Sequence, residues 1–340
     1  MKINKRDLQA ALEKVKPGLA NKEIIEQSTH FAFMGDRVVT YNDEISISCQ
    51  IPNLNITGAV SANEWYQSLN KTKADEIEME ISEEEIQLKA GKGKAGLTLH
   101  SKIVLPLAEL GEQTEWVKLP EDVLQALNFC RFSCSKDMSK PVLTCVEVNE
   151  AGFAQSCDNY RITRHDFTQK KKAIKTFLIP GTSAQELVRY AASEICYTTG
   201  WVHFRTADKT VTFSCRIFED NYPDTTAIRV MKDPIEIKIP EKLQEILERV
   251  EIFAKTQFGT DSLVDVIIKD KRVLVQSKNQ SGWSEEECPI RYTGNPIEFS
   301  INPQFLQDML PKIKACSIDN TKMQFKGDGW EHIVALTGKA

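Results

Sequence analysis

The sequence lacks the patterns by which most enzyme families are recognised. It holds no H-x-x-x-H pair, no G-x-S-x-G elbow and no Walker loop, and its five histidines fall mostly in strand patterns. The GKGK at 91–94 is shorter than a phosphate-binding loop and joins two strands, not a strand and a helix. No nucleophile, base and orienting residue form a set, so we expect a protein that is not an enzyme and needs no cofactor.

Long apolar runs and an export signal are missing as well. No apolar run reaches membrane-spanning length, and MKINKRDLQ at the N-terminus has no signal-peptide core. We therefore expect a cytoplasmic protein with no membrane contact. The nine cysteines are expected to be reduced thiols, and no second Cys or His pair accompanies Cys130 and Cys134, so no metal site is expected.

An excess of positive charge is also absent. The chain has 43 Lys and Arg against 48 Asp and Glu, a net charge of −5. This balance argues against a generally basic nucleic-acid binder, although a local basic surface on an acidic body remains compatible with it. With 340 residues, the chain exceeds the size at which one core usually keeps growing, so we expect two or three domains.

What the sequence does contain is a repeat with a period of about 60 residues. At six places an apolar residue is followed by Asn, Ser or Pro and then by an amphipathic helix pattern. These anchors are Ile3-Asn4, Val60-Ser61, Leu119-Pro120, Ile179-Pro180, Ile239-Pro240 and Ile301-Asn302. After the last anchor, Pro311 lies inside the apolar stripe, which predicts a short or kinked helix.

Each copy reads as one helix and about four strands, and alternate copies place their hairpin turns differently. The true period is therefore a pair of copies, about 113 residues long. We predict an α+β fold of three tandem domains, 1–114, 115–232 and 233–340, each with two helices and about eight strands in two β-α-β-β-β half-repeats. Three such units form an arc, which can close into a dimeric ring. Linkers are predicted around Leu107–Thr114 and Val230–Pro234, a loop over KAGKGKAG (89–96), and turns at the acidic runs Glu83–Glu85 and Glu285–Glu287.

Cations recur late in the helices and in nearby loops. Those of interest are Lys14, Lys16, Lys71, Lys73, Lys136, Lys312 and Lys314. The helix macrodipole also favours cations at helix C-termini, so a structural role and a DNA-facing role both remain open.

Segments along nearly the whole chain resemble those of the bacterial replicative sliding clamps, the β subunits of DNA polymerase III. They are KINKRDLQAALEKVKPGLANK (2–22), TYNDEISISC (40–49), LKAGKGKAGLTL (88–99), KPVLTCVEV (140–148), SCDNYRIT (156–163), YPD (222–224) and PIEFSINPQFLQDML (296–310). Lys140 and Cys145 replace the Arg and Gly of the family's R-P-x-L-x-G-V, whereas Asp158 and Arg161 of A-T-D-x-x-R-L-A are kept. The order and spacing of these segments indicate a divergent or phage-encoded member.

The resemblance implies a DNA sliding clamp, a processivity factor with no chemistry of its own. It would be a head-to-tail homodimer whose helices line a hole around double-stranded DNA, in the cytoplasm at the nucleoid or in a phage host. Phosphate contacts would hold DNA without regard to its sequence. The resemblance adds Lys22, Lys89, Lys92, Lys94 and Lys140 to the DNA-binding candidates.

The family also tethers DNA polymerase and the clamp loader through short peptides that bind an apolar pocket. The matching positions here are Leu143, Asn159, Tyr160, Arg161, Ile162, Asn302, Phe305, Val334 and Leu336. Plain core packing is an equal alternative for Leu143, Ile162 and Val334. The tail, VALTGKA, departs from the family's M-P-M/L-R/K, so the accepted peptide is expected to differ.

A second function stays open: a clamp-like adaptor that scaffolds proteins without encircling DNA. The altered tail and the nearly neutral helices are compatible with it. An enzyme built on the repeats is a third interpretation, and it lacks a site.

Overall fold

The computed structural model of the chain describes residues 1–168, 174–254 and 262–337. Within these ranges it contains seven α-helices and 24 strands. The helices are α1 (Lys5–Val15), α2 (Ala62–Lys71), α3 (Val123–Cys130), α4 (Gly181–Leu187), α5 (Thr226–Arg229), α6 (Leu243–Val250) and α7 (Pro303–Gln307). In the described residues, none of them combines the length and apolar character needed to cross a membrane.

The strands fall into four groups along the chain. Those up to residue 118 are β1 (Lys2–Asn4), β2 (His30–Gly35), β3 (Arg37–Tyr41), β4 (Ile45–Gln50), β5 (Ile56–Ser61), β6 (Glu76–Ile81), β7 (Glu85–Ala90), β8 (Gly93–Thr98) and β9 (Val117–Lys118). The next are β10 (Cys145–Asn149), β11 (Phe153–Cys157), β12 (Arg161–Asp166) and β13 (Phe177–Pro180). They are followed by β14 (Ala192–Thr198), β15 (Trp201–Thr206), β16 (Val211–Arg216) and β17 (Ile235–Lys238). The last are β18 (Val264–Lys269), β19 (Arg272–Asn279), β20 (Gly282–Pro289), β21 (Ile297–Ile301), β22 (Ala315–Ile318), β23 (Lys322–Gly327) and β24 (Trp330–Ala335).

Six of the helices start just after the six predicted anchors, which confirms the repeat. Asn4 caps α1, because its Oδ1 accepts hydrogen bonds from the backbone N of Arg6 at 2.9 Å and of Asp7 at 3.3 Å. Asn302 caps α7 in the same way, accepting from the backbone N of Gln304 at 3.0 Å. α7 ends at Gln307, and a 3-10 turn at Leu310–Lys312 follows it, as Pro311 predicts.

The chain divides into two compact units. The first comprises the described residues of Met1–Arg131, Cys145–Gly152 and Gln169–Asp220. It holds a four-stranded sheet of order β1-β6-β7-β8, an eight-stranded sheet of order β5-β2-β3-β4-β16-β15-β14-β9, and the antiparallel pair β10 and β13. α1 and α2 pack antiparallel over a core that includes Trp65, since Gln9 bonds Asn70 at 2.7 Å and Tyr66 bonds Glu13 at 2.9 Å.

The second unit comprises the described residues of Phe132–Thr144, Phe153–Thr168 and Asn221–Ala340. Its strands form one run of order β11-β12-β24-β23-β22-β17 and a four-stranded sheet of order β20-β19-β18-β21. α6 and α7 pack together, and Gln307 bonds Glu251 at 3.0 Å just beyond α6. The domain limits given above stay a prediction.

Three local predictions are wrong. KAGKGKAG is not a loop, because β7 and β8 continue through it and only Gly91 and Lys92 form the turn, with Lys89 paired opposite Lys94. Glu285–Glu287 lie inside β20 and not in a turn. Glu83 and Glu84 do form the predicted bend between β6 and β7, but Glu85 already belongs to β7. The segment VLTCVEV (142–148) is predicted from its apolar residues to be a strand throughout, but its first three residues belong to a 3-10 turn, Pro141–Thr144, and the strand begins only at Cys145. Charge and glycine content suggested turns in the first two cases, but cross-strand pairing kept them in sheets.

Candidate functional site

Arg161 is the centre of a polar and aromatic cluster in the second unit. Its Nε donates to Asp158 Oδ2 at 3.1 Å, its Nη1 to Asp308 Oδ2 at 2.9 Å and its Nη2 to the carbonyl oxygen of Phe132 at 2.6 Å. The guanidinium also lies 4.5 Å from the ring centroid of Phe305. With its side chain only 12% exposed, Arg161 holds three chain segments in place.

The local sequence explains why these groups meet. Asp158 opens a tight turn, in which its Oδ1 accepts from the backbone N of Tyr160 at 2.8 Å and of Arg161 at 2.9 Å. This turn starts β12 and aims Arg161 towards α7. The cap by buried Asn302 sets the first turn of α7 and presents Phe305 to Arg161.

The register of β12 against β24 separates the predicted pocket residues onto two faces. Arg161 pairs with Val334, and Ile162 pairs with Ile333. Paired residues point to the same side of a sheet, and successive residues alternate. Arg161 and Val334 therefore share the face towards α7, hereafter the α7 face, whereas Ile162 and Ile333 lie on the opposite, α5 face.

A short segment, residues 221–230, crosses the α5 face and was not anticipated from the sequence. The contacts that fix it include a hydrogen bond from Cys157 N to Tyr222 Oη (2.7 Å) and one from Thr225 Oγ1 to Gln155 Oε1 (2.9 Å). Arg229 also pairs with Glu331, and Lys322 Nζ donates to Ile228 O (2.6 Å). Burial raises the pKa of Tyr222 far above its ordinary value, so its hydroxyl stays protonated. Ile228 is 54% exposed and Val230 is 61% exposed. The three apolar residues Ile228, Val230 and Met231 were the available signal, because closely spaced apolar side chains are unusual in a linker.

The remaining pocket candidates lie where the tail meets the turn before β12. Tyr160 is 46% exposed, with its ring centroid 6.3 Å from that of Phe305, and its carbonyl oxygen accepts from Ala335 N at 2.7 Å. Leu336 N donates to Thr321 O at 2.8 Å.

The last two candidates, Leu143 and Asn159, have contacts in the segment before β10. Leu143 is half-buried, and its carbonyl oxygen accepts from Ser135 N at 2.8 Å. Asn159 Oδ1 lies 3.5 Å from Lys140 Nζ. Residues 338–340 of the tail lie outside the described residues.

His332 is buried on the α7 face, where it pairs with Thr163 across β12 and β24. Its Nδ1 lies 2.8 Å from Thr163 Oγ1, and among the described residues its Nε2 has no hydrogen-bond partner. Burial, with smaller contributions from Arg161 and Lys312, lowers the pKa of His332 to about 3. The imidazole is therefore neutral and stacks at 5.9 Å on the ring of Phe325. This group supports the cluster from behind and is not exposed to a ligand.

The DNA-binding candidates of the first unit fall into two sets. Lys14 and Lys16 are exposed at the end of α1, and Lys71 and Lys73 are exposed at the end of α2. Because the two helices are antiparallel, these pairs lie at opposite ends of the helix pair. Lys16 Nζ also lies 4.7 Å from the ring centroid of Tyr66.

The second set lies on or near the sheet β1-β6-β7-β8. Lys89 and Lys94 are opposite each other on its solvent-facing side, because the alternate residues Leu88 and Leu97 are buried. Lys89 pairs with Glu80, and this pair lowers the pKa of the carboxyl group. Lys92 is exposed in the turn, and Lys22 is exposed in the loop after α1. The fold does not bring Lys89 and Lys94 onto the surface that carries the helix ends.

In the second unit, Lys136 and Lys140 are exposed in the loop before β10. Lys312 and Lys314 line a groove of about 440 Å³ together with Lys238, which the sequence analysis missed. Lys312 Nζ donates to Asp308 O and lies 5.3 Å from the ring centroid of Phe132. Burial lowers the pKa of Lys312, and Asp308 partly opposes this shift. Lys312 thus contacts the Arg161 cluster as well as the groove.

Comparison with known proteins identifies relatives over most of the chain. It is 23% identical over 350 residues to the beta sliding clamp of Lactococcus lactis, covering 92% of this chain and 90% of that protein. To the beta sliding clamp of Staphylococcus aureus it is 23% identical over 319 residues, covering 85% of this chain and 82% of that protein. A scan against protein-family models finds no match.

Solved structures match the fold from end to end. The DNA polymerase sliding clamp from Bacillus subtilis superposes with a TM-score of 0.85 at 18% identity, covering 100% of this chain and 99% of that chain. The beta subunit of DNA polymerase from Streptococcus pyogenes gives a TM-score of 0.85 at 20% identity, covering 99% of both chains. The predicted α+β fold of repeated clamp domains is thereby confirmed. The chain is thus similar in sequence and in fold to the bacterial beta sliding clamps, the family that the motifs in its sequence indicated.

Proposed function

We propose that the protein is a DNA sliding clamp, a non-catalytic processivity factor that encircles duplex DNA and tethers a replicative polymerase. The observation that carries this proposal is the end-to-end match, at a TM-score of 0.85, to structures of DNA polymerase sliding clamps. The action would be topological, at the nucleoid in the cytoplasm of a cell or of a phage host.

Two edge strands of opposite charge support closure of a head-to-tail homodimer. In the described part of the chain, β8 ends the sheet of the first unit and β20 ends the four-stranded sheet of the second. β8 and its turn carry Lys92 and Lys94, whereas β20 carries Glu285 and Glu287 on its exposed side. An unpaired strand edge accepts a strand from another chain, and opposite charges favour that pairing over self-association of like edges.

The helix-end lysines support weak, sequence-independent contacts to DNA phosphates. Lys14, Lys71, Lys73 and Lys314 are exposed cations at or just beyond helix C-termini. Lysine contacts to phosphate carry no sequence information and are weakened by salt. A modest number of such contacts suits a ring that must move along the duplex.

The α5 face supports tethering of short peptides. Ile228 and Val230 expose apolar surface beside the buried pair Ile162 and Ile333, and Tyr160 is exposed where the tail turns. A few apolar anchors of this kind suit a linear motif from the polymerase or the clamp loader.

Sedimentation velocity at micromolar concentration tests the ring against the adaptor alternative. A ring predicts a dimer of the 38.5 kDa chain, with an increasing monomer fraction on dilution. A strict monomer across this range would favour an adaptor that does not encircle DNA.

A further inference from the structure

We propose that Lys322 binds a carboxylate of the peptide that docks on the α5 face, so that this protein selects partners with an acidic group beside their apolar anchors. The inference rests on the proposed tethering function and assigns a specificity-determining residue to it.

The register of β23 places Lys322 next to the apolar surface. In the pairing of β23 with β24, Lys322 lies opposite Ala335 and Gln324 lies opposite Ile333. On the other side of β24, Ile333 lies opposite Ile162 of β12. Since paired residues share a face, all five side chains point to the α5 face. Lys322 therefore borders the row formed by Ile162 and Ile333.

The ammonium group is held at the edge of the crossing segment. Lys322 Nζ donates to the carbonyl oxygen of Ile228 at 2.6 Å, one residue from Arg229 and two from the exposed Val230. An ammonium has three donors, and this contact with a neutral carbonyl uses one of them. Lys322 is half-buried, so part of its hydration is already lost before any ligand arrives.

The nearby carboxylates of the described chain are engaged by other groups. Asp319 Oδ1 accepts from the backbone N of Thr321 at 2.8 Å and of Lys322 at 3.0 Å, and its Oδ2 accepts from Lys232 N at 3.1 Å. These backbone donors lower the pKa of Asp319 despite its partial burial. Glu331 pairs with Arg229 and accepts from Gln324 at 2.9 Å. Among the described residues, Lys322 thus has no carboxylate partner for its charge.

The occupant that fits this arrangement is an extended peptide with two large apolar side chains and one carboxylate. The apolar side chains would cover Ile162 and the exposed Ile228 and Val230, and the carboxylate would reach Lys322. A charge-assisted hydrogen bond formed beside apolar surface is stronger than one in open solvent. Complementary charge also rejects partners that present a cation at this place.

The test is fluorescence anisotropy with the full chain and synthetic nonapeptides that carry two adjacent large apolar residues. Asp is placed in turn at each flanking position, and each peptide is compared with its Asn counterpart. We expect one position at which Asp binds about three- to tenfold more tightly than Asn. In Lys322→Met the ratio of the Asp-peptide affinity to the Asn-peptide affinity should fall to about one, whereas Lys322→Arg should retain the preference.

Lys326→Met is the matched control, because Lys326 is an exposed lysine on the same face of the same strand, opposite Glu331. It should leave the Asp preference unchanged. If Lys322→Met weakens the Asp and Asn peptides equally, Lys322 acts only by holding the crossing segment, and the proposal is overturned. It is overturned as well if no position prefers Asp, or if no peptide binds. In these cases DNA retention by the ring would still stand, since it does not depend on this face.

Discussion

Arg161 Nη1 donates to Asp308 Oδ2 at 2.9 Å, although 147 residues separate the two in the chain. The bond ties the start of β12 to the end of α7. Arg161 also pairs with Asp158, so a single guanidinium neutralises two largely buried carboxylates. Arg161 therefore forms ion pairs with two carboxylates from separate parts of the chain.

Replacing Arg161 by Met should destabilise the second unit by about 3 kcal/mol, because two largely buried carboxylates lose their ion pair with the guanidinium. Asp308→Asn should cost only about 1 kcal/mol, since the amide oxygen still accepts from Arg161. Urea denaturation followed by tryptophan fluorescence would measure both. Arg164→Met is the matched control, because Arg164 pairs with the half-exposed Asp166 on the opposite face. Equal losses for Arg161→Met and Arg164→Met would contradict the central role of Arg161.

The buried His332 should make the folded state sensitive to acid. Its pKa is lowered to about 3 in the folded chain, against an ordinary value of 6.5. Below pH 6.5 the unfolded chain binds a proton that the folded chain does not, so stability is complete above pH 6.5 and falls as the pH drops towards 3. The linked loss is on the order of 4 kcal/mol.

His332→Phe should flatten this fall, since Phe keeps the stacking on Phe325 and does not titrate. The measurement is the free energy of unfolding from urea titrations between pH 7 and pH 4. The second buried histidine, His203, whose pKa is lowered to about 4, provides an independent comparison in the first unit. A slope unchanged in His332→Phe would show that other groups govern acid unfolding.

Charge reversal at the edge strands should weaken the dimer. Lys94→Glu on β8 or Glu285→Lys on β20 places like charges opposite each other, and each should raise the dissociation constant about fivefold or more. The double reversal should restore most of the affinity, because the pair is again complementary. Sedimentation equilibrium measures all four proteins. If the double variant dimerises no better than either single one, these residues do not face each other across the interface.

Lysines at the helix ends should contribute to DNA binding, and those on the outer sheet face should not. For duplex binding, the logarithm of the association constant falls linearly with the logarithm of the salt concentration. Lys14→Gln and Lys71→Gln should each make this slope shallower by about one unit, because each removes one phosphate contact. Lys89→Gln is the control, since Lys89 is paired with Glu80 on the solvent-facing side of its sheet. Anisotropy with a labelled duplex at several salt concentrations provides the slopes. A loss for Lys89→Gln as large as for Lys14→Gln would place the DNA on another surface.

Much of the fold could be predicted from the sequence because each copy of the repeat is marked by residues that act locally, such as helix caps and prolines. Caps such as Asn4 and Asn302, and the proline in the last helix, act within a few residues and are visible without tertiary information. The placement of Glu285–Glu287 could not be predicted in this way. An acidic run resembles a turn until the pairing of β20 with β19 holds it in a sheet.

The candidate site was predicted only in part, for a related reason. The turn at Asp158 and the α7 cap are local, and their residues were found. Which face each side chain occupies depends on the register between β12 and β24, which a single sequence does not reveal. The crossing segment was missed because its contacts are to strands far away in the chain, so its last residue, Val230, was read as the start of a linker.

The most direct test of the central claim is retention on DNA of different topology. Labelled protein is loaded onto a nicked circular plasmid by its cognate loader, separated from free protein by gel filtration, and the plasmid is then linearised with a restriction enzyme. A ring that encircles the duplex stays on the circle and slides off the ends, so the bound fraction should fall to the background of unloaded protein after linearisation. A bound fraction that is the same on circular and linear DNA would contradict topological binding.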